Sequence, residues 1–166
     1  MTGPARGLPL ATLVGNSPEA SAHLIAQAMH DFEAGAREAA ATAYARASSQ
    51  AYAHPASWSN LSALAVALGD AVAAVRHAQQ ALRLSPSLVD AWNNLGVANW
   101  HAGQRRDAAI ATHRALQLVP GLESAALNYA RMLQAVDRAA QAREVLRAAS
   151  QANPGAWRLQ RARGES

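Results

Sequence analysis

The 166-residue sequence has no cysteine, which removes disulfides, thiol nucleophiles and cysteine-ligated metal sites together. It has no lysine either: all 15 basic residues are arginine. Aromatic residues make up 5% of the chain and charged residues 16%. No apolar run approaches the ~18 residues of a membrane-spanning helix, so no membrane partner is expected. The six histidines, at positions 23, 30, 54, 77, 101 and 113, contain no H-x-x-x-H pair and no cluster with Asp or Glu, and no metal site is expected. A G-x-S-x-G nucleophile elbow and a glycine-rich phosphate loop are both missing. These absences imply no cofactor and no catalytic residue, and the chain reads as not an enzyme.

The formal charge is +4, mild for a nucleic-acid binder, and no continuous basic stripe or recognition motif accompanies it, so no nucleic-acid partner is expected. The charge is unevenly spread. Five Arg face five acids up to Leu88, and ten Arg face six acids from Val89 onward, which favours an acidic partner for the second half.

What the chain has in excess is alanine, the strongest helix former, which carries much of its 51% apolar content and suits helices packed at short distance. The expected class is all-α. Residues 1–20 carry Gly3, Pro4, Gly7, Pro9, Gly15 and Pro18, a breaker density that argues for a flexible tail. Its apolar patch of Leu8, Leu10, Leu13 and Val14 is too short and too interrupted for a secretory signal, so a cytoplasmic location is expected. Ser17 and Pro18 read as an N-cap followed by proline at the first helical position.

From residue 21 the chain repeats itself every 34 residues. The clearest unit is 89–122, with Trp92, Leu95, Gly96, Gly103, Ala108, Ala115 and Pro120 at the offsets where a helix–turn–helix repeat needs bulky, small and helix-breaking residues. Unit 55–88 keeps Trp58, Leu61, Gly69, Ala74, Ala78, Ala81 and Pro86, with Ser62 in place of the small glycine. Unit 123–156 keeps Tyr129, Ala130, Leu133, Ala142, Leu146, Ala149 and Pro154, but has Ala126 in the Trp slot and Asp137 at the turn. Unit 21–54 diverges most: Gly35, Ala40, Tyr44 and Ala47 fit, while Leu24, Gln27 and Tyr52 depart from the pattern. Residues 157–166 begin like a fifth first helix and stop. Trp157 and Leu159 are expected to fold back on the fourth unit with Arg158, Arg161 and Arg163 outward, the alternative being a partner or a second copy that completes the cap and makes a homodimer.

This pattern closely resembles the tetratricopeptide repeat. The resemblance implies a right-handed superhelical solenoid whose units stack because neither helix of a pair can bury its apolar stripe alone. It also implies that the first helix of each unit lines a concave groove, with the sixth position pointing into it. That position holds Asn60, Asn94 and Asn128, with Ala26 in the first unit, and the row is similar to the asparagine ladder of O-linked N-acetylglucosamine transferases. Each amide can donate to and accept from a peptide backbone; the alternative is an amide bonded to a neighbouring turn. Further groove positions are Asp90, Asn93, Val97, Trp100 and His101 in the third unit, Leu127, Arg131 and Gln134 in the fourth, and Ile25, Met29, Phe32 and Glu33 in the first. Trp100 and Phe32 are the expected aromatic anchors. The basic carboxylate clamp of chaperone-binding members is not expected, since Arg131 is the one cation at a suitable position.

The function implied is a protein-interaction module that binds a peptide segment of a partner protein, as an adaptor or as the substrate-recognition subunit of a separate enzyme. One alternative is a secretion-type chaperone, similar to the three-repeat translocator chaperones of type III systems. Another, of a different class, is a protein-modifying enzyme or a non-catalysing fragment of one.

Overall fold

Alanine-rich segments of helical period, cut at regular intervals by glycine and proline, dictate short helices joined by tight turns. The computed structural model describes residues 18–50 and 54–164; the tail patch, the Ser17 cap and the Tyr52 slot lie outside them. Among the described residues there are nine helices and no strand. They are α1 (Pro18–Glu33), α2 (Arg37–Gln50), α3 (Pro55–Leu68), α4 (Ala71–Leu84), α5 (Val89–His101), α6 (Arg105–Leu118), α7 (Glu123–Gln134), α8 (Ala139–Ala152) and α9 (Trp157–Gly164). The starts of α3, α5 and α7 are 34 residues apart, as are those of α4, α6 and α8. Helix α1 begins at Pro18, the residue the sequence places at the first helical position, and so takes in residues 18–20 of the expected tail. Proline at the first helical position needs no N–H partner and so opens the helix instead of stopping it.

Each helix pair turns on one residue of positive φ: Gly35 at 80°, Gly69 at 90°, Gly103 at 77° and Asp137 at 60°. A side chain in that region costs roughly 1–2 kcal/mol, hence glycine at three turns, with aspartate the better tolerated exception. The other helix ends are set differently. Ser85 and Val119 follow α4 and α6 in extended conformation and Asn153 follows α8 outside the helical region, at φ −137° and ψ 79°; each precedes a proline, which bars its neighbour from the helical region.

Successive units touch through their first helices, α1 on α3, α3 on α5, α5 on α7 and α7 on α9, and each second helix packs on the first helix of the next unit. Among the described residues the backbones of α2, α4, α6 and α8 stay apart, α2 and α4 meeting through the Tyr44 and His77 side chains. A stack that is continuous in one layer and splayed in the other bends toward the continuous one, which puts the first helices on the concave side. Within each pair the helices approach closely on small residues. Ala40, Ala74, Ala108 and Ala142, one period apart, are fully buried. Gly96 is small because a Cβ there would meet Thr112 Oγ1 at 2.0 Å; in the preceding unit Ser62 fits instead and donates to the Ala74 carbonyl at 2.8 Å.

The two-turn α9 caps the last pair through Leu159, which is fully buried against Ala126, Leu133 and Leu146. Trp157, expected to fold back, is 65% exposed, because the helix turns only its Leu159 face to the core. Arg158 pairs with Glu123 at 3.1 Å.

Candidate functional site

The side chains that face along the row of first helices are fixed by a simple register: the sixth residue of one unit lies beside the fifth residue of the unit before it. Asn94 Nδ2 donates to both the carbonyl and the hydroxyl of Ser59, each at 3.0 Å. Asn128 Nδ2 donates to Asn93 Oδ1 at 3.1 Å, and Asn93 is buried. Asn60 has Ile25 as its opposite number, a side chain with no acceptor, and it stands exposed at the wall of a cleft of about 380 Å³ between α1 and α3, with Ile25, Met29 and His54. The three asparagines therefore differ. Two spend their donors bracing neighbouring helices, the third keeps both ends open, and the Oδ1 atoms of Asn94 and Asn128 make no hydrogen bond among the described residues.

The other expected groove residues divide between two places. Asp90 and His101 are exposed and Val97 half-buried along α5. Arg131 is exposed on α7 and lines, with Leu127, Trp157 and Arg161, a cleft of about 270 Å³ between α7 and α9. Trp100 is not brought together with the asparagines. Its ring lies under the Arg105 guanidinium at 5.5 Å from the centroid, at the turn edge of the third unit, and Phe32 lies under Arg37 at 5.7 Å in the same way. The signal was in the sequence: an aromatic and an arginine five residues apart, at matching offsets in the first and third units. The gap between α7 and α9 was less legible, since it depends on how a short last helix seats.

A second polar group is half-buried at the junction of the first two units. Tyr44 Oη and His77 Nε2 are 2.8 Å apart, and the Trp58 ring stacks on His77 at 5.3 Å. Burial pushes the His77 imidazole below its ordinary pKa, with Arg76 adding to the effect and Asp70 opposing it. Burial also raises the Tyr44 phenol. A neutral imidazole accepting from the phenol fits both directions. Trp92, in the next unit's equivalent of the Trp58 slot, donates instead to the Pro86 carbonyl at 2.8 Å.

Among the described residues no group of three or more His, Asp or Glu is placed to hold a metal, and no helix is long and apolar enough to cross a membrane. No protein-family model matches the sequence, and no curated protein matches it. Solved structures do share its architecture. TTC0263, a thermophilic TPR protein of Thermus thermophilus, superposes with a TM-score of 0.75 at 18% identity, over 90% of this chain and 82% of that one. The Sgt2 TPR domain from Aspergillus fumigatus gives 0.62 at 23% identity, over 75% and 83%. The first TPR of Spaghetti (RPAP3), solved bound to the HSP90 peptide SRMEEVD, gives 0.61 at 19% identity, over 73% and 96%. The architecture defines a helical-repeat solenoid. Within that class, the fold of this chain is the tetratricopeptide-repeat fold.

Proposed function

We propose that this chain is a protein-interaction module that holds an extended segment of a partner protein along the row of its first helices, as the adaptor or substrate-recognition subunit of a separate enzyme. The observation that carries the reading is the open hydrogen-bonding capacity on that row: Asn60 exposed beside an apolar cleft, and the Oδ1 atoms of Asn94 and Asn128. An extended peptide offers backbone N–H groups to such acceptors whatever its side chains are. Asp90, His101 and Arg131 give the row charged or titratable points, and Val97 an apolar one. These groups hold a peptide without transforming it. A protein of the same fold, Spaghetti (RPAP3), was solved with a bound peptide, which supports the reading by analogy of fold.

The test takes a partner captured by cross-linking and reduced to its shortest binding peptide, titrated calorimetrically. Asn60→Ala with Arg131→Ala is expected to weaken binding by about 2–4 kcal/mol, one neutral and one charged hydrogen bond. Arg114→Ala, on α6, is expected to change nothing. Equal affinity for wild type and the double variant removes this function.

A further inference from the structure

A further cleft is lined by α6 together with α5 and α7, on residues apart from the asparagine row. It measures about 570 Å³ and opens where α6 and α7 diverge, with a floor of Trp100, Tyr129, Leu133 and Ile110. Ile110 is 56% exposed, unusual for isoleucine in a helix whose opposite face is buried alanine. Among the described residues the backbones of α6 and α8 stay apart, and the cleft is lined by residues of α6 and by Arg138 at the start of α8.

Its rim is basic. Arg105 and Arg106 occupy the first two positions of α6, and Arg138 is the N-cap of α8. Cations at the positive end of a helix are disfavoured, and neither helix start has a side-chain cap. By contrast α4 begins on Asp70, whose carboxylate accepts from the Ala73 N–H at 2.8 Å. Asp107 and Asp137 are the nearest acids in the chain, both exposed, and among the described residues no carboxylate pairs with Arg105, Arg106 or Arg138. The cleft thus gathers three guanidinium groups and two uncapped helix starts around an apolar floor.

We propose that this cleft is a second binding site, which takes a peptide segment of a partner protein with bulky apolar residues flanked on both sides by carboxylates. The apolar floor receives the bulky side chains and the rim receives the acids. Cations on two separate helix ends call for several acids along one chain, not for one anion. None of Asn60, Asn94, Asn128 or Arg131 lines the cleft, so the two sites are independent.

The probe is the fluorescein-labelled peptide EEDLWEELFDEE, with KKKLWKKLFKKK as its charge-reversed control. Polarisation is read for wild type, for the triple variant Arg105→Glu, Arg106→Glu, Arg138→Glu, for Ile110→Asp, and for Asn60→Ala. The acidic residues suit helix starts and Ile110 is exposed, so these variants keep the fold, as circular dichroism will verify. The acidic probe is expected to bind saturably, about tenfold or more weaker to the triple variant and to Ile110→Asp, and unchanged to Asn60→Ala. The Trp100 indole resonance, assigned with Trp100→Phe, is expected to move on binding. The proposal is overturned by any of four results: no saturable binding, equal affinity for the lysine probe, an unmoved Trp100 with loss in Asn60→Ala, or displacement by decanoate at equal affinity.

Discussion

Gly103 and Asp137 hold the same turn one period apart, and only one of them is glycine. Nothing lies within 4 Å of a Cβ built on Gly103, so Gly103→Ala carries the backbone cost alone. It should lower stability by about 1 kcal/mol, read from the urea midpoint. Gly96 is the opposite case, helical and hemmed in. Gly96→Ala drives its methyl group onto Thr112 Oγ1, which already donates to the Ala108 carbonyl at 2.8 Å, and overpacking of ~1–3 kcal/mol is expected, several degrees of melting temperature. Adding Thr112→Ala should recover most of that loss, because the preceding unit packs the related pair Ser62 and Ala78, both fully buried, at the same two positions. A double variant no more stable than Gly96→Ala would show that the backbone of α6, and not the hydroxyl, sets the limit. Both glycines were legible in the sequence as turn and close-contact positions. The partner of Gly96 was not, since Thr112 differs from its equivalents Ala78 and Leu146.

Between elements, the junction of α2, α3 and α4 depends on a neutral histidine. His77 has a lowered pKa in the folded state, so below about pH 6.5, the ordinary imidazole value, the unfolded chain binds the extra proton first. Stability is therefore full above that pH and declines as pH falls through it toward the folded value. Urea midpoints near pH 7.5 and near pH 5.5 should differ for the wild type, and by less for His77→Gln, whose amide oxygen still accepts from Tyr44. An equal drop in both proteins would assign the pH dependence elsewhere. This group was only half visible beforehand: Trp58 and Tyr44 stood out as pattern residues, while His77 occupies a slot the repeat leaves free. The asparagines teach the same lesson. Their one-period spacing was plain, but whether each braces a neighbour or faces outward turns on residue 25, 59 or 93, one unit back. Trp157 was misplaced for a related reason, because a last helix has no following unit to cover its outer side.

Across the whole molecule, the bonds of the asparagine row among the described residues lie in the middle. Ser59–Asn94 ties α3 to α5 and Asn93–Asn128 ties α5 to α7, whereas α1–α3 and α7–α9 meet beside clefts, the latter pair joined by Arg158 and Glu123. Mechanically this is a caliper: a spacer of hydrogen-bonded helices with a cleft at each end. The jaws stand three helix-to-helix steps apart, about 24–30 Å at ordinary packing distances, which an extended chain spans with about 7–9 residues. A ruler of that kind measures its ligand. Truncating the partner peptide one residue at a time should cost little until the length falls below that span, and then abruptly sever one jaw's contribution; a smooth, proportional decline would mean that the ends do not grip.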